Sequence, residues 1–88
     1  MSNDLSRRPW SLDTAAVITT DRVRIASMRW VGATTAAHAC TVEDKNGEII
    51  WRSLASGANF VDETFPDADF DGFELAVIDS GVLYVYYG

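Results

Sequence analysis

The dipeptide Asn46-Gly47 stands between two runs that alternate between apolar and polar residues. An Asn-Gly pair in this setting is the strongest short-range mark of a β-hairpin, because both central residues of a type I′ turn take a positive φ. A two-residue loop would pair Val42 with Trp51. It would also pair Asp44 with Ile49, whereas a type I turn with a bulge at Gly47 would shift this pairing by one residue. Both registers are compatible with the sequence.

Short strand-like runs separated by turn residues fill most of the remaining chain. Residues 15–20 and 22–31 are rich in β-branched residues and alternate in polarity. Residues 73–78 and 82–87 flank a turn at 79–81 and predict a final hairpin. No window of ten residues shows an apolar stripe of helical period with caps. The pattern predicts a small all-β domain, an antiparallel β-sandwich or a barrel-like fold.

The second of these runs cannot be a regular strand with one buried face. Val23 and Ile25 have one parity, and the next large apolar residues, Met28 and Trp30, have the other. Because side chains alternate with period two, a continuous strand cannot bury all four. We expect either a bulge near residues 26–27 or a second apolar surface that covers one pair.

Residues 1–13 differ from the rest of the chain and predict an extended N-terminal arm, followed by a β-sandwich domain over residues 14–88. The arm has no apolar periodicity. It contains Arg7, Arg8 and Trp10, which belong to the residue types that most often anchor protein interfaces. We expect these three side chains to bind a neighbouring subunit, the alternative being a frayed terminus.

The last predicted strand, residues 82–87, is apolar or aromatic on both faces. Strands of this kind are usually covered on both sides. In a chain of 88 residues the second cover can come from a partner. We therefore expect Tyr84, Tyr86 and Tyr87 to contribute to partner binding.

A long acidic connection is expected over residues 55–72. Its candidate core anchors are Phe60, Val61, Phe65 and Phe70. Within it, Asp67, Asp69 and Asp71 match the first half of a calcium-binding loop, in which alternate carboxylates converge on one cation. The twelfth position of such a loop needs an acid, and this chain has Ile78 there. A solvated acidic turn is the favoured interpretation, with weak calcium binding left open.

The charge of the chain restricts its partners. The formal net charge is −6, and residues 40–88 hold ten acids against Lys45 and Arg52. Such a surface repels phosphate, so we expect neither nucleic acid nor an anionic membrane as a partner. No apolar run approaches the roughly 20 residues that span a bilayer. The first residues lack the apolar segment of a secretory signal, which predicts synthesis in a cytoplasm.

Candidate chemistry is sparse. His38 and Cys40 could point to the same side of one strand, but zinc needs three or four ligands and the chain has no other His or Cys. No nucleophile has both a base and an orienting acid beside it in a known motif. We expect no enzyme activity, no catalytic residues, no metal and no cofactor.

Three segments stand out together: residues 23–38 with the stretch Arg-Trp-Val-Gly-Ala-Thr-Thr, the Asn-Gly hairpin at 44–51, and residues 75–83 with the Ser-Gly turn. With these segments the chain resembles small virion structural proteins of tailed bacteriophages. The likeness covers about residues 15–88. It implies a capsid decoration or cement protein that binds and stabilises the outer face of the capsid lattice. The implied partners are the major capsid protein or other virion subunits, with localisation in the virion after assembly in the host cytoplasm.

For such a shell protein we expect a homo-oligomer, either a trimer or a dimer. Two other functions fit the same pattern. One is a tail, head–tail connector or fibre-base component, which would occupy another place in the virion. A carbohydrate-binding module would use Trp30 or Trp51 to stack on a sugar.

Overall fold

A computed structural model describes residues 3–5, 9–58 and 60–87. Seven β-strands form this part of the chain: β1 (Trp10–Leu12), β2 (Ala16–Ala33), β3 (Ala39–Glu43), β4 (Ile49–Leu54), β5 (Phe60–Thr64), β6 (Ala68–Ile78) and β7 (Val82–Tyr87). The predicted all-β antiparallel class is confirmed. None of the described residues belongs to a helix that could cross a membrane.

All seven strands belong to one antiparallel sheet with the order β1-β7-β2-β6-β3-β4, and β5 pairs with β2. Strand β2 is 18 residues long and organises the sheet. Its first part pairs with β6, and its second part lies between β7 and β5. Because β2 pairs with β5, β6 and β7, it joins the β1–β7 side of the sheet to the β6–β3–β4 side.

The expected irregularity in β2 is a bulge. Ile25 pairs with Tyr87 and Ser27 pairs with Tyr86, so two residues of β2 advance against one of β7. The bulge resets the alternation, and Ile25, Met28 and Trp30 are all fully buried. Of the two expected explanations, the structure shows the bulge near residues 26–27 and not a second apolar surface that covers one pair.

The β3–β4 hairpin contains the bulge at Gly47. The amide of Gly47 donates to the carbonyl of Asp44 (3.1 Å), and the amide of Asp44 donates to the carbonyl of Glu48 (2.9 Å). Among the turn residues only Gly47 has a positive φ, of 83°, so the turn is not type I′. Asp44 therefore faces Glu48. Val42 still pairs with Trp51, because a second register shift follows it.

The predicted final hairpin is wrong, although both of its strands are present. Strand β6 pairs with β2 and β3, whereas β7 pairs with β1 and with the opposite side of β2. Hydrogen bonds at the connection explain the crossing. The amide of Asp79 donates to the carbonyl of Ala39 (3.0 Å), and Nε1 of Trp30 donates to the carbonyl of Ser80 (2.9 Å). The connection between β6 and β7 therefore passes from one side of β2 to the other and does not join two paired strands.

The predicted long acidic connection is also wrong, because it contains β5 and the start of β6. Two of its four candidate anchors, Phe60 and Phe70, are half-buried against the core. The other two face solvent, with Val61 49% exposed and Phe65 70% exposed. Pairing with β2 satisfies the backbone of this segment, which its composition alone did not indicate.

The sheet curls around one hydrophobic core. Trp10 on β1 contacts Phe73 on β6 edge-on, with ring centroids 5.7 Å apart, although two strands separate them in the sheet. The hydroxyl of Ser53 on β4 likewise donates to Asp62 on β5 (2.6 Å), although these strands do not pair. The largest fully buried side chains are Trp30, Phe73, Leu12, Ile25, Met28, Leu75, Leu83, Val42, Val85 and Cys40.

The described part of residues 1–13 lies on the sheet and does not extend away from it. Asp4 forms a β-bridge with Ser11. The side chain of Asn3 accepts from the amides of Asp13 (2.9 Å) and Thr14 (3.0 Å) and donates to the carbonyl of Thr14 (2.9 Å). Strand β1 also lies before the expected boundary at residue 14. These contacts replace the expected extended arm over the described residues.

Candidate partner-binding face

Strand β7 has two apolar faces with different surroundings. Leu83 and Val85 are fully buried, and Tyr87 packs on the same core. The alternate side chains, Tyr84 and Tyr86, point to the other side of the sheet. Tyr84 is half-buried there and Tyr86 is 40% exposed. Within the described chain the strand is therefore covered on one face and only partly covered on the other.

A row of valines extends this outward side across three strands. Val31 of β2 pairs with Val82 of β7 and with Val61 of β5. Val61 is exposed, and the other two are half-buried. Directly opposed side chains lie about 5 Å apart, so the three valines form a continuous apolar strip.

The next row toward the other end of β7 is polar. Arg29 of β2 pairs with Tyr84 of β7 and with Glu63 of β5. Arg29 and Glu63 are exposed, and neither has an ion pair within 4.0 Å in the described part of the chain. Tyr86 follows in a third row. We call these side chains the outer face: Arg29, Val31, Val61, Glu63, Val82, Tyr84 and Tyr86.

The predicted partner-binding residues do not all lie on this face. Tyr84 and Tyr86 do. Tyr87 points to the core and stacks on Trp10, with ring centroids 4.6 Å apart. Trp10 is only 9% exposed, because β1 packs it between Tyr87 and Phe73. Its side chain belongs to the core of the chain itself.

Arg7 and Arg8, the other predicted contacts, lie outside the described residues. Sequence reasoning missed the other five members of the outer face, which are Arg29, Val31, Val61, Glu63 and Val82. The parity of β2 after the bulge could have indicated Arg29 and Val31. No local signal indicated that β5 would bring Val61 beside them.

A second group of exposed apolar side chains lies on the outward side of β4 and β6. Ile49 and Leu54 of β4 and Val77 of β6 are all exposed. Their partners on β3 are Glu43, Ala39 and Thr41, which have the same parity, so the three side chains lie on one surface. We call Ile49, Leu54 and Val77 the β4 patch.

The three aspartates of the calcium-like motif face arginines. Arg24 contacts Asp67 (2.6 Å) and Asp69 (3.9 Å), and Arg22 contacts Asp69 (3.6 Å) and Asp71 (3.6 Å). Asp69 and Asp71 lie in β6, so they line a strand and not a loop. Within the described residues no group of three or more His, Cys, Asp or Glu side chains could hold a metal ion.

Cys40 is fully buried in β3. Burial, with a smaller contribution from the charge of Asp79, raises the pKa of its thiol from 9.0 to about 12. The thiolate is the reactive form, so this cysteine is inert at neutral pH.

His38 lies beside the Asp79–Gly81 connection instead of facing Cys40. Its Nδ1 is 2.8 Å from the hydroxyl of Ser80, and that hydroxyl also accepts from the amide of Thr34 (3.0 Å). These bonds tie the β2–β3 connection to the β6–β7 connection.

Neither tryptophan considered for sugar binding is freely exposed. Trp30 is fully buried, so a sugar cannot stack on it, and Trp51 is half-buried. No enclosed pocket occurs in the portion of the chain that the structure describes. Neither the family models nor the curated proteins nor the solved structures compared with this chain give a match.

Proposed function

We propose that this protein is a non-catalytic structural module that assembles with other protein subunits through its outer face. One observation supports this most directly. Strand β7 is apolar or aromatic on both faces, and the described chain covers the inner face but leaves Val82 and Tyr84 half-buried and Tyr86 exposed on the outer one. Contiguous apolar patches of this kind mark interaction sites on soluble proteins.

The composition of the outer face supports binding to protein. Tyrosine and arginine are enriched in interfaces, and Tyr84 and Arg29 both occur in the middle row of this face. Tyr84 and Tyr86 offer large contact areas with little side-chain entropy to lose. The valine strip supplies apolar area beside them. This is the pattern of an interface with an apolar part and a few oriented polar groups.

We further propose that the assembly is a bacteriophage capsid, in which the chain serves as a decoration or cement protein. The support is the resemblance of residues 23–38, 44–51 and 75–83 to small virion structural proteins. Two separate exposed surfaces, the outer face and the β4 patch, would let one chain contact two neighbours. In a symmetric shell, many weak contacts of this kind add up through avidity.

Quantitative mass spectrometry of purified particles tests the virion role. The particles are those encoded by the genome that encodes this chain. A decoration protein is expected at a copy number on the order of hundreds, comparable to the major capsid protein. About six or twelve copies would instead indicate a tail, connector or fibre-base component. Absence of the chain from the particles would contradict the proposal.

A further inference from the structure

We propose that the partner that covers the outer face is a second copy of this chain, related to the first by a twofold axis. The inference rests on the proposed function, since it names the occupant of the same surface. It is drawn from the charge pattern of that surface. Isologous interfaces use the same patch on both subunits, so the patch must be complementary to itself.

Arg29 and Glu63 give the outer face this self-complementarity. They stand opposite each other on β2 and β5, both are exposed, and neither has an ion pair within 4.0 Å among the described residues. Consider two copies whose outer faces meet, related by a twofold axis that lies between them. If the axis is parallel to the strands and passes over the gap between β2 and β5, it exchanges the two positions. Arg29 of one copy then lies over Glu63 of the other, and the reciprocal pair forms as well.

The same axis also matches the apolar row. Val31 and Val61 are paired across β2 and β5, so the exchange places Val31 of one copy over Val61 of the second. Tyr84 and Tyr86 on β7 flank this contact. A register that satisfies the charges therefore stacks valine on valine, with tyrosines at the margin.

Charge balance favours a copy of the chain over a basic partner. The whole chain has a formal net charge of −6, but the outer face carries one arginine and one glutamate and is neutral. Two acidic chains can approach each other there with little repulsion. A strongly basic partner would be attracted to the acids elsewhere on the molecule instead.

The size of the outer face predicts a weak dimer. The three strands that carry it, β7, β2 and β5, are spaced about 4.8 Å apart and make it about 14 Å wide. A standard stable interface buries roughly 800 Å² on each partner, which is a patch about 28 Å across. Dimers should therefore form at high protein concentration and dissociate on dilution.

Sedimentation velocity over a concentration series tests the proposal with charge-reversed variants. Arg29→Glu and Glu63→Arg should each weaken the dimer at least tenfold, because each places like charges together across the axis. An equimolar mixture of the two variants should recover dimerisation, because a mixed dimer opposes unlike charges at both contacts. Arg52→Glu, an exposed change of equal charge on β4, is the control and should dimerise like the wild type.

A wild type that stays monomeric up to millimolar concentration would overturn the inference. So would single variants that dimerise as well as the wild type, or a mixture that does not recover. Thermal unfolding of each variant checks that the fold is intact. Tyr86→Ser separates the two proposals: a monomeric wild type whose binding to particles falls with this variant keeps the proposed function and assigns the outer face to another subunit.

Discussion

Two glycines with positive φ differ in what surrounds them. Gly81 has φ of 79°, and a methyl group there would overlap the carbonyl oxygen of Val31 and come within 2.9 Å of the amide nitrogen of Ala33. Gly47 has φ of 83° in the β3–β4 turn, and a methyl group there would meet nothing within 4 Å. The close packing of the Asp79–Gly81 connection on β2 explains the difference.

Substitution of each glycine by alanine tests this packing. Gly47→Ala should lower the free energy of unfolding by about 1 kcal/mol, the cost of a left-handed conformation for a residue with a side chain. Gly81→Ala should lower it by more than about 3 kcal/mol, since overlap with backbone atoms is added. Denaturation by urea measures both. Equal effects would show that the connection does not pack on β2 as described.

The buried thiol of Cys40 predicts a loss of stability at high pH. Its pKa is raised from 9.0 to about 12 in the folded chain, so above pH 9 the unfolded state releases a proton that the folded state keeps. The stabilising contribution is complete below pH 9 and is lost as the pH rises from 9 toward 12. At pH 10.5 the loss from this group should be about 2 kcal/mol.

Cys40→Ala isolates this contribution from other groups that titrate at high pH. The free energy of unfolding is measured at pH 8 and pH 10.5 for both proteins. From pH 8 to pH 10.5 the free energy of unfolding should fall further for the wild type than for the variant, and the difference is the contribution of the thiol. An identical fall would contradict the assigned burial, as would rapid reaction of the native thiol with an aromatic disulfide at pH 8.

At the scale of strands, β1 is predicted to stabilise the fold and not to serve as a free arm. Trp10 packs on Phe73 and Tyr87, so Trp10→Ala should lower the free energy of unfolding by about 3–5 kcal/mol. Tyr86→Ala, which truncates an exposed aromatic of β7, is the comparison and should cost less than half as much. If Trp10→Ala leaves stability unchanged and only weakens partner binding, the arm interpretation was correct.

The arginine–aspartate ladder between β2 and β6 is expected to adjust register and to add little stability. Its side chains are between 42% and 70% exposed, and exposed ion pairs contribute about 0–1 kcal/mol. Asp69→Asn should therefore change the free energy of unfolding by less than about 1 kcal/mol, and less again at high salt.

Calorimetric titration with calcium should give no heat at millimolar concentration. Measurable heat that Asp69→Asn removes would restore the calcium hypothesis.

Local sequence predicted the elements better than their partners. The β3 and β4 strands and the bulge in β2 followed from turn chemistry and alternation, which act over a few residues. The strands with which β6 and β7 pair did not, because they depend on the length of β2 and on two hydrogen bonds, from Trp30 to Ser80 and from Asp79 to Ala39. The composition around Asp69 predicts a loop, because the arginines that face it lie more than forty residues earlier in the chain.

At the scale of the whole molecule, two of the seven side chains of the outer face, Tyr84 and Tyr86, were predicted. The outward direction of Tyr84 and Tyr86 follows from a strand with two apolar faces. The residue type of Trp10 predicts an interface, whereas its place in the core depends on the pairing of β1 with the last strand. The contribution of Val61 needed the register between β2 and β5, which no local pattern specifies.

Hydroxyl-radical footprinting tests the central claim that the outer face is covered in the functional assembly. Labelling of Tyr86 and Val61 is compared between the dilute free chain and the chain bound to purified particles. Phe65, which is 70% exposed just after β5, reports on the border of the face. We predict at least fivefold protection of Tyr86 and Val61 on assembly. Equal labelling of both residues in the free and bound states would contradict it.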